Sequence, residues 1–276
     1  MQRSSVSRPF NNTVVPSIPV DVLLVILEHV DEATLATMCK LNKVCCSYSQ
    51  DVLYREIRIY QRSEFGVYQT LAQSTHLARR VRSFKIPNNN QDPNLHGALQ
   101  NMINLRRLDL GCCNISNVLD GCTFTLVSFS CSGSLFQSLY QFLLGQPSLT
   151  GISLIIYRQV DNWHEFEAAC LPNLTRVTAP FSKLQQLIPN RPVKEVFALG
   201  NVRDNNPVDI SFFTLSNSPI QKLKIDYSYL YPKSGQYLAS IFSSLTLLEI
   251  ATNLHPFLAI VREPSPFFYV SLIGLS

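Results

Sequence analysis

Apolar residues recur along this chain in two rhythms. Between Ile18 and Leu53 the spacing is helical: Leu23, Ile26, Leu27 and Val30 fall on one face of a helix of about three turns that ends near His29 to Val30. Pro19 suits the first turn, where its missing N–H would be unpaired anyway, and Asp21 sits at the positive end of the helix dipole. Asp31 can cap a second helix with Leu35, Met38, Cys39 and Leu41 as its apolar positions, and Lys43 to Leu53 makes a third with Val44, Cys45, Tyr48 and Val52 inward. Three short helices bury little by themselves, so this unit is expected to gain stability from a partner.

From Val81 the rhythm changes to a frame of the form L-x-x-L-x-L, with other aliphatic residues, Phe or small residues allowed. It occurs at Val81-Phe84-Ile86, Leu105-Leu108-Leu110, Leu126-Phe129-Cys131, Leu149-Ile152-Leu154, Leu174-Val177-Ala179, Val193-Val196-Ala198, Ile220-Leu223-Ile225 and Leu245-Leu248-Ile250. A possible ninth copy, Val270-Ile273-Leu275, ends one residue before Ser276. Starts are 19 to 27 residues apart, in or close to the range of leucine-rich repeats, which the array resembles. Eight residues after each start, where that repeat class favours Asn or Cys, stand Asn89, Cys113, Ser134, Tyr157, Ser182, Asn201, Ser228 and Asn253; Tyr157 is the clear exception. Helical spacing returns at Glu64–Leu77, Gln137–Leu144, Trp163–Cys170, Ser182–Ile188 and Ser234–Phe242, so each repeat reads as a strand followed by a helix or turn. For Trp163 and Phe166, packing between neighbouring helices is expected rather than a ligand site.

The expected fold is therefore α/β: a short three-helix unit followed by an irregular solenoid with a parallel sheet. The chain divides into a flexible tail over 1–15, the helical unit over 16–57, a connecting helix over 58–80 and repeats over 81–276. The array is expected to be incomplete, with residues from about Pro264 loosely held and the last strand an open edge.

Strand side chains alternate, so the third, fifth and seventh frame positions share one sheet face. The residues expected to hold a client protein there are Lys85, Arg107, Asp109, Arg176, Glu195, Phe197, Leu199, Lys222 and Lys224, with Ser128, Ser130, Ser132 and Ser153 between them.

Composition narrows the function classes. Hydrophobic residues make up 46% and charged residues 15%, which excludes wholesale disorder, and the longest apolar run, Val22 to Leu27, is too short for a bilayer. The N-terminus carries Arg3 and Arg8 without the apolar stretch of a secretory signal, so a cytoplasmic or nuclear location is expected and the sequons at Asn11, Asn114 and Asn173 are read as coincidental. The eight cysteines include neighbours at Cys45-Cys46 and Cys112-Cys113 but no CxxC, which argues against zinc. The net charge of +4 is spread thinly, with six basic and six acidic residues in 1–60, so nucleic acid is not the expected partner. No phosphate-loop, zinc-protease or nucleophile-elbow motif occurs, and His29, His76, His96, His164 and His255 are scattered singly; no catalytic residue, metal or cofactor is expected.

The helical unit resembles the F-box family. Ile18-Pro19-Val20-Asp21 stands for the family's Leu-Pro-x-Glu, Val22 to Val30 for its apolar helix, Leu35 for its following leucine, and Leu41-Asn42-Lys43-Val44-Cys45 for its closing segment, with Cys45 where an aromatic is usual. Val52-Leu53-Tyr54-Arg55-Glu56-Ile57 is similar to the exit segment of many fungal members. The resemblance implies that a Skp-type adaptor would dock on Ile18, Pro19, Leu23, Ile26, Leu27, Leu35, Met38, Leu41, Val44 and Cys45. The adaptor would bind a cullin scaffold, and the repeats would hold a client for ubiquitin transfer by other subunits of an SCF-type ligase. The alternative is a scaffolding repeat protein whose helical unit is only a cap; a docking face leaves Leu23, Ile26 or their neighbours accessible, whereas a cap buries them.

Overall fold

The computed structural model describes residues 18–60, 66–86, 92–112, 117–133, 137–155, 166–167, 169–199, 209–226, 235–252 and 269–274. The chain forms two compact units that meet in sequence between Leu53 and Tyr54.

The first unit holds α1 (Val20–Glu28), α2 (Glu32–Met38) and α3 (Lys43–Leu53). Pro19 sits at the N-cap of α1 with extended backbone, one position before the first turn, and its carbonyl accepts from the Leu23 N–H at 3.0 Å. Asp31 caps α2 as its sequence predicts: its Oδ1 accepts from the Thr34 N–H at 2.7 Å, which holds its carboxyl below the usual range. Asn42 does the same for α3, its Oδ1 accepting from the Cys45 N–H at 2.8 Å.

The second unit is α/β. Its strands are β1 (Glu56–Arg58), β2 (Ser83–Ile86), β3 (Arg107–Cys112), β4 (Ser128–Ser132), β5 (Gly151–Ile155), β6 (Arg176–Pro180), β7 (Glu195–Leu199), β8 (Lys222–Asp226), β9 (Leu247–Thr252) and β10 (Tyr269–Gly274). They form one parallel sheet in sequence order, each strand pairing only with its neighbours in the chain. The segments returning between strands include α4 (Gly66–Gln73), α5 (Thr75–Ala78), α6 (Leu95–Asn101), α7 (Gln137–Leu144), α8 (Phe181–Leu187), a 3-10 turn over Ser211–Leu215, and α9 (Gly235–Ile241). The order is solenoid-like, with each repeat stacking on the one before.

The register follows the frame. Ser83, Arg107, Ser128, Gly151, Arg176, Glu195, Lys222 and Leu247, each two residues after a frame start, align across successive strands. The residues of the eight frames from Val81 to Ile250 point inward and are buried, apart from Ala198 and Leu248, which are partly covered. Each such Val, Leu, Ile or Phe contributes roughly 1.5–3 kcal/mol on leaving water. One backbone motif recurs at every junction from β1 to β9: the carbonyl just after a frame start accepts two successive N–H groups of the next repeat. Arg55, Arg82, Arg106, Val127, Thr150, Thr175, Lys194 and Gln221 serve in turn, at 2.7–3.1 Å.

Three expectations are corrected. Glu56–Arg58 is the first strand of the sheet rather than the end of the helical unit, so 58–80 is the first repeat's return segment and not a separate connector. Tyr54-x-x-Ile57-x-Ile59 is the same frame with Tyr in the first place, and Ile57 aligns with Phe84. The final frame is shifted by three residues: Val270 aligns with Leu248, a second-place residue, so Phe267-Val270-Leu272 is the ninth copy. Tyr269–Gly274 pairs with β9 along its whole length, and β10 is an edge of the sheet; residues 264–268 lie outside the described set. Finally, α6 and the 3-10 turn had no sequence expectation, while of Trp163–Cys170 the described residues are not helical. Of the positions eight after each start, only Ser182 is described, and it is an exposed residue of α8, because β6 runs straight into that helix. Phe166 is buried and its ring stacks 5.1 Å from that of Tyr140, as expected of a packing residue; Trp163 lies outside the described residues.

Polar side chains join neighbouring turns. Buried Gln146 accepts the Leu126 N–H on Oε1 at 2.8 Å and donates from Nε2 to the Phe124 carbonyl at 3.2 Å. Asn104 and Asn173, each just before a frame start, donate to the carbonyls of Arg79 and Pro147 one repeat back. Gln146→Ala is expected to destabilise by about 1–3 kcal/mol, since it strands two buried backbone groups; chemical denaturation measures it, and a loss near zero would mean that water replaces the amide.

Candidate interaction surfaces

The sequence of α1 is apolar almost all round, so packing has to choose which stripe goes inside. Leu27 is fully buried, Leu23 and Leu24 are half-buried, and Leu35 of α2 is also buried. Met38, Cys39, Cys45, Cys46 and Tyr48 are half-buried. What remains outside is a set of large apolar side chains: Ile18 at 58% exposure, Val20, Val22, Val25, Ile26, Leu41 at 65% and Val44. Seven large exposed apolar side chains are many for a unit of this size and mark it as a candidate interaction surface.

Of the expected adaptor contacts, Ile18, Pro19, Ile26, Leu41 and Val44 are therefore at the surface, and Leu23, Met38 and Cys45 partly so. Leu27 and Leu35 are corrected: they are the core of the unit and present no surface to a partner. Val44, expected inward, points to solvent. Val20, Val22 and Val25 were not expected to take part, and the signal that could have found them is the unbroken apolar run from Val22 to Leu27.

The outer face of the sheet carries aligned charges rather than independent ones. Lys85 Nζ lies 2.8 Å from Asp109 Oδ2 on the next strand, and Lys224 Nζ lies 3.1 Å from Glu249 Oε2. Glu195 takes Arg176 Nε at 2.7 Å and Lys222 Nζ at 2.9 Å from opposite sides. Hydrogen bonds first from Lys222 and then from Arg176 hold its carboxyl below the usual range. Lys224 Nζ also lies 5.8 Å from the centre of the half-buried Phe197 ring, and Leu199 is half-buried beside it on the same strand. Arg107 is exposed, and its charge helps to lower Glu56, whose larger influence is the hydrogen bond from Arg58.

The client residues expected from sequence thus share one face, but most are paired with one another. Glu56, Arg58 and Glu249 complete the pairs and were missed, because their partners lie on other strands or in a strand not foreseen. Between the two charged ends, β4 and β5 present only Ser128, Ser130, Ser132, Gly151, Ser153 and Ile155.

Glu195 sets a pH dependence. Its folded pKa is depressed, so its contacts contribute above the ordinary glutamate range of about 4.3 and are lost as pH falls through the lower folded value. Acid titration of stability should therefore be shallower in Glu195→Gln, and an unchanged acid limb would show that these exposed pairs contribute nothing.

Burial, with a smaller effect from Asp120, pushes the Cys122 thiol up to about 12, the reverse of an activated nucleophile. His96 Nδ1 lies 3.2 Å from the Val118 carbonyl oxygen, a bond that ties the ring to the fold, while His29 and His76 are exposed; His164 and His255 lie outside the described residues. Among the described residues no group of three or more His, Cys, Asp or Glu is arranged to hold a metal ion, and no helix is long and apolar enough to cross a membrane. No protein-family model matches the chain, and no curated protein matches it in sequence.

Proposed function

We propose that this chain is a substrate receptor of an SCF-type ubiquitin ligase, an F-box unit followed by leucine-rich repeats. The observation that carries the reading is the exposed apolar surface of the helical unit, Ile18, Val22, Val25, Ile26, Leu41 and Val44, on a segment whose residues resemble the F-box pattern. A helical cap would bury those side chains; a docking unit leaves them in water until its partner arrives. In this reading a Skp-type adaptor covers them and binds the cullin scaffold, while the sheet unit holds the client. The chain then acts by proximity: it raises the effective concentration of the client's lysine near a charged conjugating enzyme, and none of its own residues forms a covalent intermediate.

The test is capture of a purified Skp-type adaptor. Ile26→Asp with Leu41→Asp places two charges on side chains already exposed, so folding is spared. Losing two apolar anchors of an interface commonly costs about 2 kcal/mol or more each, and capture should fall at least tenfold. Undiminished capture by a double variant with an unchanged circular dichroism spectrum would end the assignment.

A further inference from the structure

Several arginines of the second unit, scattered in sequence, come together at its first three strands. Arg55, Arg82 and Arg106 each follow a frame start by one residue, and the backbone stacks them: the Arg82 N–H donates to the Arg55 carbonyl, and the Arg106 N–H to the Arg82 carbonyl, both at 2.9 Å. Their side chains are exposed. Two of them repeat one geometry, in which a guanidinium NH1 reaches forward to the carbonyl just before the next frame start: Arg82 to Asn104 at 3.2 Å, and Arg106 to Thr125 at 3.5 Å, with Thr125 Oγ1 at 3.2 Å. A guanidinium carries more donors than these contacts use, so Arg82 and Arg106 are held in place with donors to spare. Exposed Arg79 precedes the row on the second repeat, and exposed Arg107 follows it on the third. Farther along the sheet the same row reads Val127, Thr150, Thr175, Lys194, Gln221 and Thr246, so the arginines are confined to one end.

We propose that the row of Arg55, Arg82 and Arg106, flanked by Arg79 and Arg107, is a docking site for an acidic segment of a partner protein. The inference deepens the client-binding half of the function proposed above and rests on it. Charge complementarity selects an anion, and the setting selects a short protein segment over nucleic acid. Neighbouring strands are about 4.8 Å apart, so three rungs extend only about 10 Å, too little for the long phosphate track that sequence-independent nucleic-acid binding uses. Stacking platforms are also sparse: Tyr60 is the exposed aromatic near these strands among the described residues.

The test uses the full chain and a fluorescein-labelled peptide of alternating glutamate and glycine, followed by anisotropy, with a glutamine-for-glutamate peptide, a phosphoserine-for-glutamate peptide and oligouridine as parallel probes. The glutamate peptide should bind, weaken with added salt, and lose about tenfold or more in affinity in the triple variant Arg55→Gln, Arg82→Gln, Arg106→Gln. The triple Arg→Lys variant should keep most of the binding, which separates charge from folding, and Arg176→Gln with Lys222→Gln at the other end of the sheet should bind as the unmodified chain does. Equal binding of the glutamine peptide, an unaffected triple Gln variant, or tighter row-dependent binding of oligouridine or of the phosphoserine peptide would overturn the proposal. Adaptor capture is measured on the same proteins. Peptide binding without adaptor capture keeps the arginine row and removes the ligase reading; adaptor capture without peptide binding does the reverse.

Discussion

Arg191→Met is expected to destabilise the sheet unit by about 3–5 kcal/mol, a large part of the roughly 5–15 kcal/mol that holds an ordinary domain. Arg191 is 1% exposed, and among the described residues no carboxylate pairs with it. Its guanidinium instead donates to four backbone carbonyls: Nε to Cys170 at 2.8 Å, NH1 to Gln186 at 2.8 Å and to Pro189 at 3.1 Å, and NH2 to Glu167 at 2.9 Å. Burial lowers its pKa, but a guanidinium stays charged in proteins, so these are charge-assisted bonds. The backbone of the same residue reaches the other way, its carbonyl accepting from the N–H groups of Val193 and Asn217 and from Ser216 Oγ. One residue thus ties the turn before it to the turn after it. Methionine fills similar volume but leaves four carbonyls without a donor. Urea denaturation at constant slope measures the loss; Arg191→Lys, a single point donor, should recover less than half. A cost under about 1 kcal/mol would mean that water enters and pairs the carbonyls.

Leu27→Ala is expected to melt the helical unit while the sheet unit stays folded. Removing a buried leucine costs about 2–5 kcal/mol. The core it leaves is small: in the first unit Leu27 and Leu35 are the fully buried large apolar residues among those described, and Ser49 fills a third buried place. A unit of some thirty-five residues has little stability to spare. Hydrogen exchange should become fast throughout α1 to α3 with protection of β2 to β7 unchanged. Uniform loss of protection across both units would show that they unfold together. If the proposed adaptor docks here, adding it should restore protection to the variant in proportion to its concentration, since a ligand of the folded state alone stabilises by mass action.

The sequence alone determined what depends on local repetition. Eight frame starts, from Val81 to Leu245, are each followed two residues later by a position in the observed register, because any one-residue slip would turn every inward leucine to solvent. The bounds of α3 and α7, and the cap at Asp31, were equally legible, since capping and helical spacing act within a few residues. Tertiary structure decided the rest. In α1, where both stripes are apolar, only tertiary packing sends Leu27 inward and leaves Val22, Val25 and Ile26 outside. Strand pairing alone recruits Glu56–Arg58 to the sheet and sets β10 three residues away from its leucine pattern, because an edge strand has a neighbour on one side only to fix its register. Ion pairs such as Lys85 with Asp109, the arginine row and the reach of Arg191 join residues up to about one repeat apart, and a linear pattern carries no record of which distant positions the fold will stack.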